Sequence, residues 1–125
     1  MNHFQLSEFA CPCCGANEMN SEFVTKLDEV RSLYYRRPLV VSSGYRCQNH
    51  ENEVGGTGAN HPRGIAVDLV APGNRKINGQ QLLDLILGLA EQGITRIVLY
   101  PDKPHIHVDM NKDLPQGIFI KRRRE

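Results

Sequence analysis

The chain predicts an α+β fold: a small, mainly antiparallel sheet with two principal helices on one side. Three observations carry this. Two segments repeat their apolar residues at helical spacing. Short runs rich in β-branched residues lie between and after them. The last two of those runs are separated by only Pro101-Asp-Lys-Pro104, a proline-bounded connection that suits an antiparallel hairpin. At 125 residues a single domain spanning 1–125 with one core is expected. Within it, residues 1–19 read as an irregular N-terminal segment, because Pro12 and Gly15 break any periodicity. Residues 111–125 read as a C-terminal extension with a basic tail.

Taken in order, the first helix is predicted from Ser21 to Arg36, with Phe23, Leu27, Val30 and Tyr34 on its buried face. Asn20 or Ser21 is its N-cap, and Pro38 stops it. Leu39-Val-Val-Ser42 reads as a short buried strand. Residues 43–63 are loop-like, with Ser43-Gly-Tyr-Arg46 and Gly55-Gly-Thr-Gly58. Strand character returns at Ile65–Val70. Asn78-Gly-Gln-Gln81 offers a capping-box start for a second helix, whose apolar residues are Leu82, Leu83, Leu85, Ile86 and Leu89 and whose stop is Gly93. Arg96–Tyr100 and His105–Met110 then form the hairpin.

Composition narrows the function classes. Hydrophobic residues at 40% and charged residues at 23% are ordinary for a soluble fold, and a net charge of +1 excludes binding driven by a broad basic surface. The basic run Lys121-Arg-Arg-Arg124 is read as a solvated tail. No stretch reaches the length of a membrane span, and the N-terminus lacks a basic-then-apolar export pattern, so synthesis in a reducing cytoplasm is expected. The four cysteines are then not a disulfide framework. Cys11, Cys13 and Cys14 crowd together, with Cys47 far along the chain. A structural zinc on Cys11, Cys14 and Cys47 is one reading, but a matching second pair is missing. Reduced thiols packed as small hydrophobes are the favoured expectation.

Two segments concentrate ligand-type side chains: His61-Pro-Arg-Gly-Ile-Ala-Val-Asp68 and His105-Ile-His-Val-Asp109. On a strand, His105, His107 and Asp109 share one face while Ile106, Val108 and Met110 enter the core. The His-x-His spacing puts two imidazoles about 6.5 Å apart at their backbones, close enough to converge on one ion. Pro62 and Gly64 forbid a helix after His61, so His61 lies in a loop and Asp68 in the following strand. Asp68, within Ile-Ala-Val-Asp-Leu-Val, is costly to bury without a partner, which is either a metal or an arginine such as Arg46 or Arg63. Imidazole-rich ligands favour zinc over magnesium or calcium, while iron or manganese would accept the same ligand types. Three protein ligands leave a position for water, which suits hydrolysis.

These residues also resemble a known family. Ser43-Gly-Tyr-Arg46, Val54-Gly-Gly56, His61-x-x-Gly64-x-Ala66-x-Asp68 and Ile106-His-Val-Asp109 are similar to the zinc D-Ala-D-Ala carboxypeptidases and L-alanyl-D-glutamate endopeptidases. That group includes phage endolysins and is related in fold to the Hedgehog signalling domain. The resemblance covers roughly residues 20–110. It implies a peptidase acting on the stem peptide of peptidoglycan, with zinc held by His61, Asp68 and His107. It further implies that Arg46 binds substrate or the developing oxyanion, positioned by the Ser43–Tyr45 turn, and that Asp109 orients a ligand. Ala59 stands where relatives often have Ser two residues before the first ligand. Pro104, not an acid, stands three residues before His107. Two assignments therefore remain. Either His107 binds metal with His105 beside the water, or His105 binds metal and Asp102 is the base; the Ile-His-Val-Asp match favours the first. Rival readings are a metal-retaining but inactive wall-binding or phage structural module, and a non-hydrolytic iron site. The resemblance implies no nucleic acid and no obligate protein partner, and a protein of this kind would meet the wall after release or injection.

Overall fold

The computed structural model describes residues 3–48 and 63–122. Its elements are a 3-10 turn at Leu6–Phe9, helix α1 (Ser21–Val30) running into a π turn (Arg31–Tyr35), strand β1 (Val40–Ser43), strand β2 (Ala66–Val70), helix α2 (Gly79–Glu91), and strands β3 (Arg96–Leu99), β4 (Ile106–Asp109) and β5 (Gly117–Ile120). The sheet order is β1-β2-β4-β3-β5. The expected hairpin is present, with β3 antiparallel to β4. The sheet is mixed, because β5 runs parallel to β3. The C-terminal extension thus contributes an edge strand, which its Gly-Ile-Phe-Ile sequence favours.

Alternation divides the sheet into two faces. Val41, Val67, Leu69, Ile97, Ile106 and Val108 point to one side and join Phe23, Leu27 and Val30 of α1 and Leu85 and Leu89 of α2 in a single core. The opposite face carries Asp68 and Ala66 on β2, His107 and Asp109 on β4, and Arg96 and Val98 on β3, matched across the strands by register.

Three local departures from expectation have physical causes. First, α1 is capped as expected, the Asn20 side chain accepting from Phe23 N–H at 3.0 Å, but its last turn widens. Arg36 N–H reaches back to Arg31 O at 2.9 Å, spanning five residues instead of four. The extra residue rotates the face by one position, so Tyr35 is buried where Tyr34 was expected. Second, α2 begins at its expected place, but Asn78 makes no side-chain cap, so the Asn78–Gln81 capping box does not form. Third, the irregular N-terminal segment adds two aromatic residues that sequence reasoning did not place in the core, Phe4 and Phe9.

The cysteines also differ from expectation. Cys11 is buried, but Cys13 and Cys14 are exposed, so packing as small hydrophobes describes one of the four. Their sulfurs nevertheless converge, all lying within 4.8 Å of one another.

Candidate active site

The polar face is assembled by strand register. Asp68 on β2 lies directly across from His107 on β4, and Ala66 lies across from Asp109. On the outer side of β2 a bulge in β1 matters. Val41 pairs with Leu69, but the next pair is Ser43 with Asp68, leaving Ser42 as the extra residue. Were Ser42 paired in a regular ladder, Ser43 would fall opposite Val67 and face the core; because Ser42 bulges out, Ser43 joins Asp68 on the polar face. The chain continues through Gly44, where a Cβ would sit 2.7 Å from the Phe9 Cα. Only glycine fits so close to another backbone, and Tyr45 N–H donates to Phe9 O at 2.7 Å to seal the approach. Arg46, just beyond, reaches the polar face at Ser43 and Asp68.

The resulting contacts are short and charged. Arg46 Nη2 donates to Asp68 Oδ2 at 2.8 Å, and Arg46 Nε donates to Ser43 Oγ at 2.9 Å. Asp68 Oδ1 faces His107 Nδ1 at 3.3 Å. The other ring nitrogen, Nε2, is 2.7 Å from Asp109 Oδ2. Arg96 Nε donates to that same Asp109 oxygen at 3.1 Å, while Asn111 N–H donates to Oδ1 at 3.0 Å. Both carboxylates are almost wholly buried, Asp68 at 4% and Asp109 at 0% exposure, and each is satisfied by an arginine. Burial opposes the charge on His107, but its hydrogen bonds to Asp109 and Asp68, and the charges of both, outweigh it and raise its pKa above the ordinary value.

The other expected site residues are placed differently. His105 is half-buried just before β4 and leans on the Tyr100 ring, centroids 4.9 Å apart. Burial lowers its pKa, offset in part by the nearby Asp68 charge. Together with Leu82, Leu99, Tyr100, Pro101 and Ile106 it lines an apolar cleft of about 210 Å³. Asp102 is exposed in the hairpin turn. Tyr45 is buried, its hydroxyl donating to Glu18 Oε2 at 2.8 Å; the ring thereby ties the chain at Arg46 to the N-terminal segment. His61 and the Val54–Gly56 and Ala59 positions lie outside the described residues. Gly64, three residues beyond His61, has φ +72° and lies against the Glu18 carbonyl, a conformation and a proximity that favour glycine.

Sequence reasoning missed Arg96. Its signal was available in the hairpin: pairing Leu99 with Ile106 and counting back sets Arg96 opposite Asp109.

The two expected donors that are described, Asp68 and His107, are spaced as zinc ligands would be. A tetrahedral site with bonds of about 2.0–2.1 Å has ligand–ligand edges of about 3.3 Å, the separation of Asp68 Oδ1 and His107 Nδ1. The carboxylate on the far ring nitrogen is the usual orienting partner of a metal-binding imidazole. Arg46 on the other Asp68 oxygen is compatible with this, since the two partners address different oxygens.

An imidazole between two buried carboxylates, on one face of a mixed sheet, is the polar centre of this small α+β protein. The model of the Peptidase M15 family matches residues 2–109, and the chain belongs to that family, the zinc D-Ala-D-Ala carboxypeptidases and endopeptidases. Among curated proteins, none matches the chain significantly.

Proposed function

We propose that the chain is a zinc-dependent peptidase that hydrolyses a peptide bond in bacterial peptidoglycan stem peptides, of the D-Ala-D-Ala carboxypeptidase or L-Ala-D-Glu endopeptidase type. The observation that carries the reading is the His107 imidazole set between Asp68 and Asp109, in a chain of this family. His61, Asp68 and His107 would hold the ion. When bound, zinc supplies a Lewis acid that polarises the scissile carbonyl and acidifies the attacking water.

The chain's own residues do the rest. Asp109 Oδ2 takes the hydrogen bond of His107 Nε2 and so fixes the tautomer that presents a lone pair at Nδ1. Arg46 holds Asp68 Oδ2, which aims Oδ1 across the strand. Its planar guanidinium also suits the oxyanion or a terminal carboxylate of the substrate, with Ser43 and Tyr45 setting its position. His105, kept neutral by burial, accepts the proton of the attacking water at a ring nitrogen and returns it to the leaving amine. Asp102, exposed in its turn, is the alternative base.

One observation favours a second reading, a metal-retaining wall-binding or phage structural module without turnover. Neither His105 nor Asp102 hydrogen-bonds to Asp68 or His107 among the described residues. Such contacts often tighten only when substrate is bound, so hydrolysis remains the conclusion. The deciding experiment is mass spectrometry of stem peptides incubated with zinc-replete protein. One new amine and carboxylate pair at a single bond names the activity; zinc content with intact peptides selects the binding module. His61→Ala and Asp68→Ala are each expected to abolish zinc binding at this centre and cleavage. Full lytic activity in either variant refutes the ligand assignment.

A further inference from the structure

We propose that Cys11, Cys13, Cys14 and Cys47 form a second metal site, a structural tetrathiolate that takes zinc. The proposal goes beyond the peptidase reading and does not rest on it.

All four sulfurs lie within 4.8 Å of one another. Three of them are closer still, with separations of 3.1 Å for Cys13–Cys47, 3.5 Å for Cys11–Cys13 and 3.6 Å for Cys11–Cys47. A zinc tetrathiolate with bonds of about 2.3 Å has sulfur–sulfur edges of about 3.8 Å, so metal entry needs these separations to change by no more than about 1 Å. The backbone around the sulfurs is already shaped for it. Cys11 N–H donates to Ala16 O and Gly15 N–H to Cys11 O, both at 2.7 Å, closing a tight turn that carries three thiols. Cys47 N–H points at Cys11 Sγ at 3.4 Å, a contact that favours a thiolate there.

Apolar burial does not account for the cluster. Cys13 and Cys14 are exposed, and thiol hydrogen bonds are weak. Four soft sulfur donors in a compact group select zinc or iron over hard cations. The fourth ligand comes from a residue 36 positions after the first, so an ion here would clamp the N-terminal turn to the loop after β1. Cys47 directly follows Arg46, which holds Asp68. The thiolate site would therefore steady the arginine of the polar centre without touching it.

The test uses the full chain, loaded with zinc or cobalt, as the unaltered protein, as His107→Ala, and as the double variant Cys13→Ser/Cys14→Ser. Both altered cysteines are exposed, and circular dichroism verifies that the variant is folded. The unaltered protein is expected to hold two equivalents of zinc, and His107→Ala and the cysteine variant one each. Cobalt-loaded His107→Ala should retain thiolate-to-cobalt charge-transfer absorption, and the cysteine variant should lack it. The proposal is overturned by a folded His107→Ala protein without that absorption. It is equally overturned by mass spectrometry showing a disulfide among these cysteines in freshly purified protein, or by all four thiols alkylating as fast with zinc as without it. Retention of iron in place of zinc overturns the metal assignment.

Discussion

His107 is where the chemistry of single residues has the widest effect. Burial opposes its charge, but two carboxylates hold its pKa above the usual value, so a metal bound at the ring would compete with a proton there. Zinc affinity at this centre is therefore expected to rise by about tenfold per pH unit while the ring is protonated. Folding of the metal-free protein should respond with the opposite sign. A raised folded-state pKa contributes stability that is complete below the unfolded value and is lost as pH rises through the folded one. Chelator-competition titrations and thermal melts of metal-free protein, both run across the neutral range, check the pair of slopes. A zinc affinity independent of pH would show that the ring is neutral before the metal arrives. Asp109→Asn removes the carboxylate that orients the ring and should weaken zinc binding by about 10–100-fold, read by the same competition. Asp68, His107 and Asp109 were legible as a group from sequence because strand alternation alone puts His107 and Asp109 on one side. Arg96 was not, because a lone arginine gains meaning only once its cross-strand partner is known.

Among the elements, the first helix was legible from apolar spacing and its Asn20 cap, and the structure keeps both. Asn20→Ala should cost about 1 kcal/mol of stability, measured by urea unfolding; an unchanged midpoint would mean that the cap hydrogen bond contributes nothing. What spacing could not show is the wide turn at Arg31–Tyr35, since apolar residues at 30 and 34 satisfy an ordinary helix as well. The bulge at Ser42 was hidden for a related reason. Val-Val-Ser-Ser alternates too weakly to fix a register, and only the pairing of Val41 with Leu69 and Ser43 with Asp68 reveals the extra residue. Deleting Ser42 removes the extra residue, so Ser43 follows Val41 directly and stays opposite Asp68 on a regular strand. The expected outcome is a retained zinc affinity at the centre, measured by titration; a loss would mean that the bulge itself, and not only the register, places Ser43 and Arg46.

For the molecule as a whole, the class of fold and the hairpin followed from pattern, while the position of β5 did not. A short segment ending a chain can pair at either edge or not at all, and tertiary packing decides. The cysteines failed to read for the same reason, because their convergence depends on bringing residues 11–14 to residue 47. If metal is bound only by the folded chain, it must stabilise it, by about 2.7 kcal/mol at a hundredfold excess over the dissociation constant. Strong chelators should accordingly lower the melting temperature by several degrees, and calorimetry with and without chelator checks this. No helix among the described residues is long and apolar enough to cross a membrane.

The region matched by the family ends at residue 109, yet the chain beyond it reaches back to the polar face. Phe119 lies under the Arg96 guanidinium, 5.3 Å from ring centroid to carbon, and the Pro115 carbonyl accepts from Arg96 Nη1 at 2.8 Å. A protein trimmed to its recognisable homology would keep every proposed ligand but lose the aromatic floor beneath one cation. The slack would pass from that guanidinium to the carboxylate it grips, and from there to the ring.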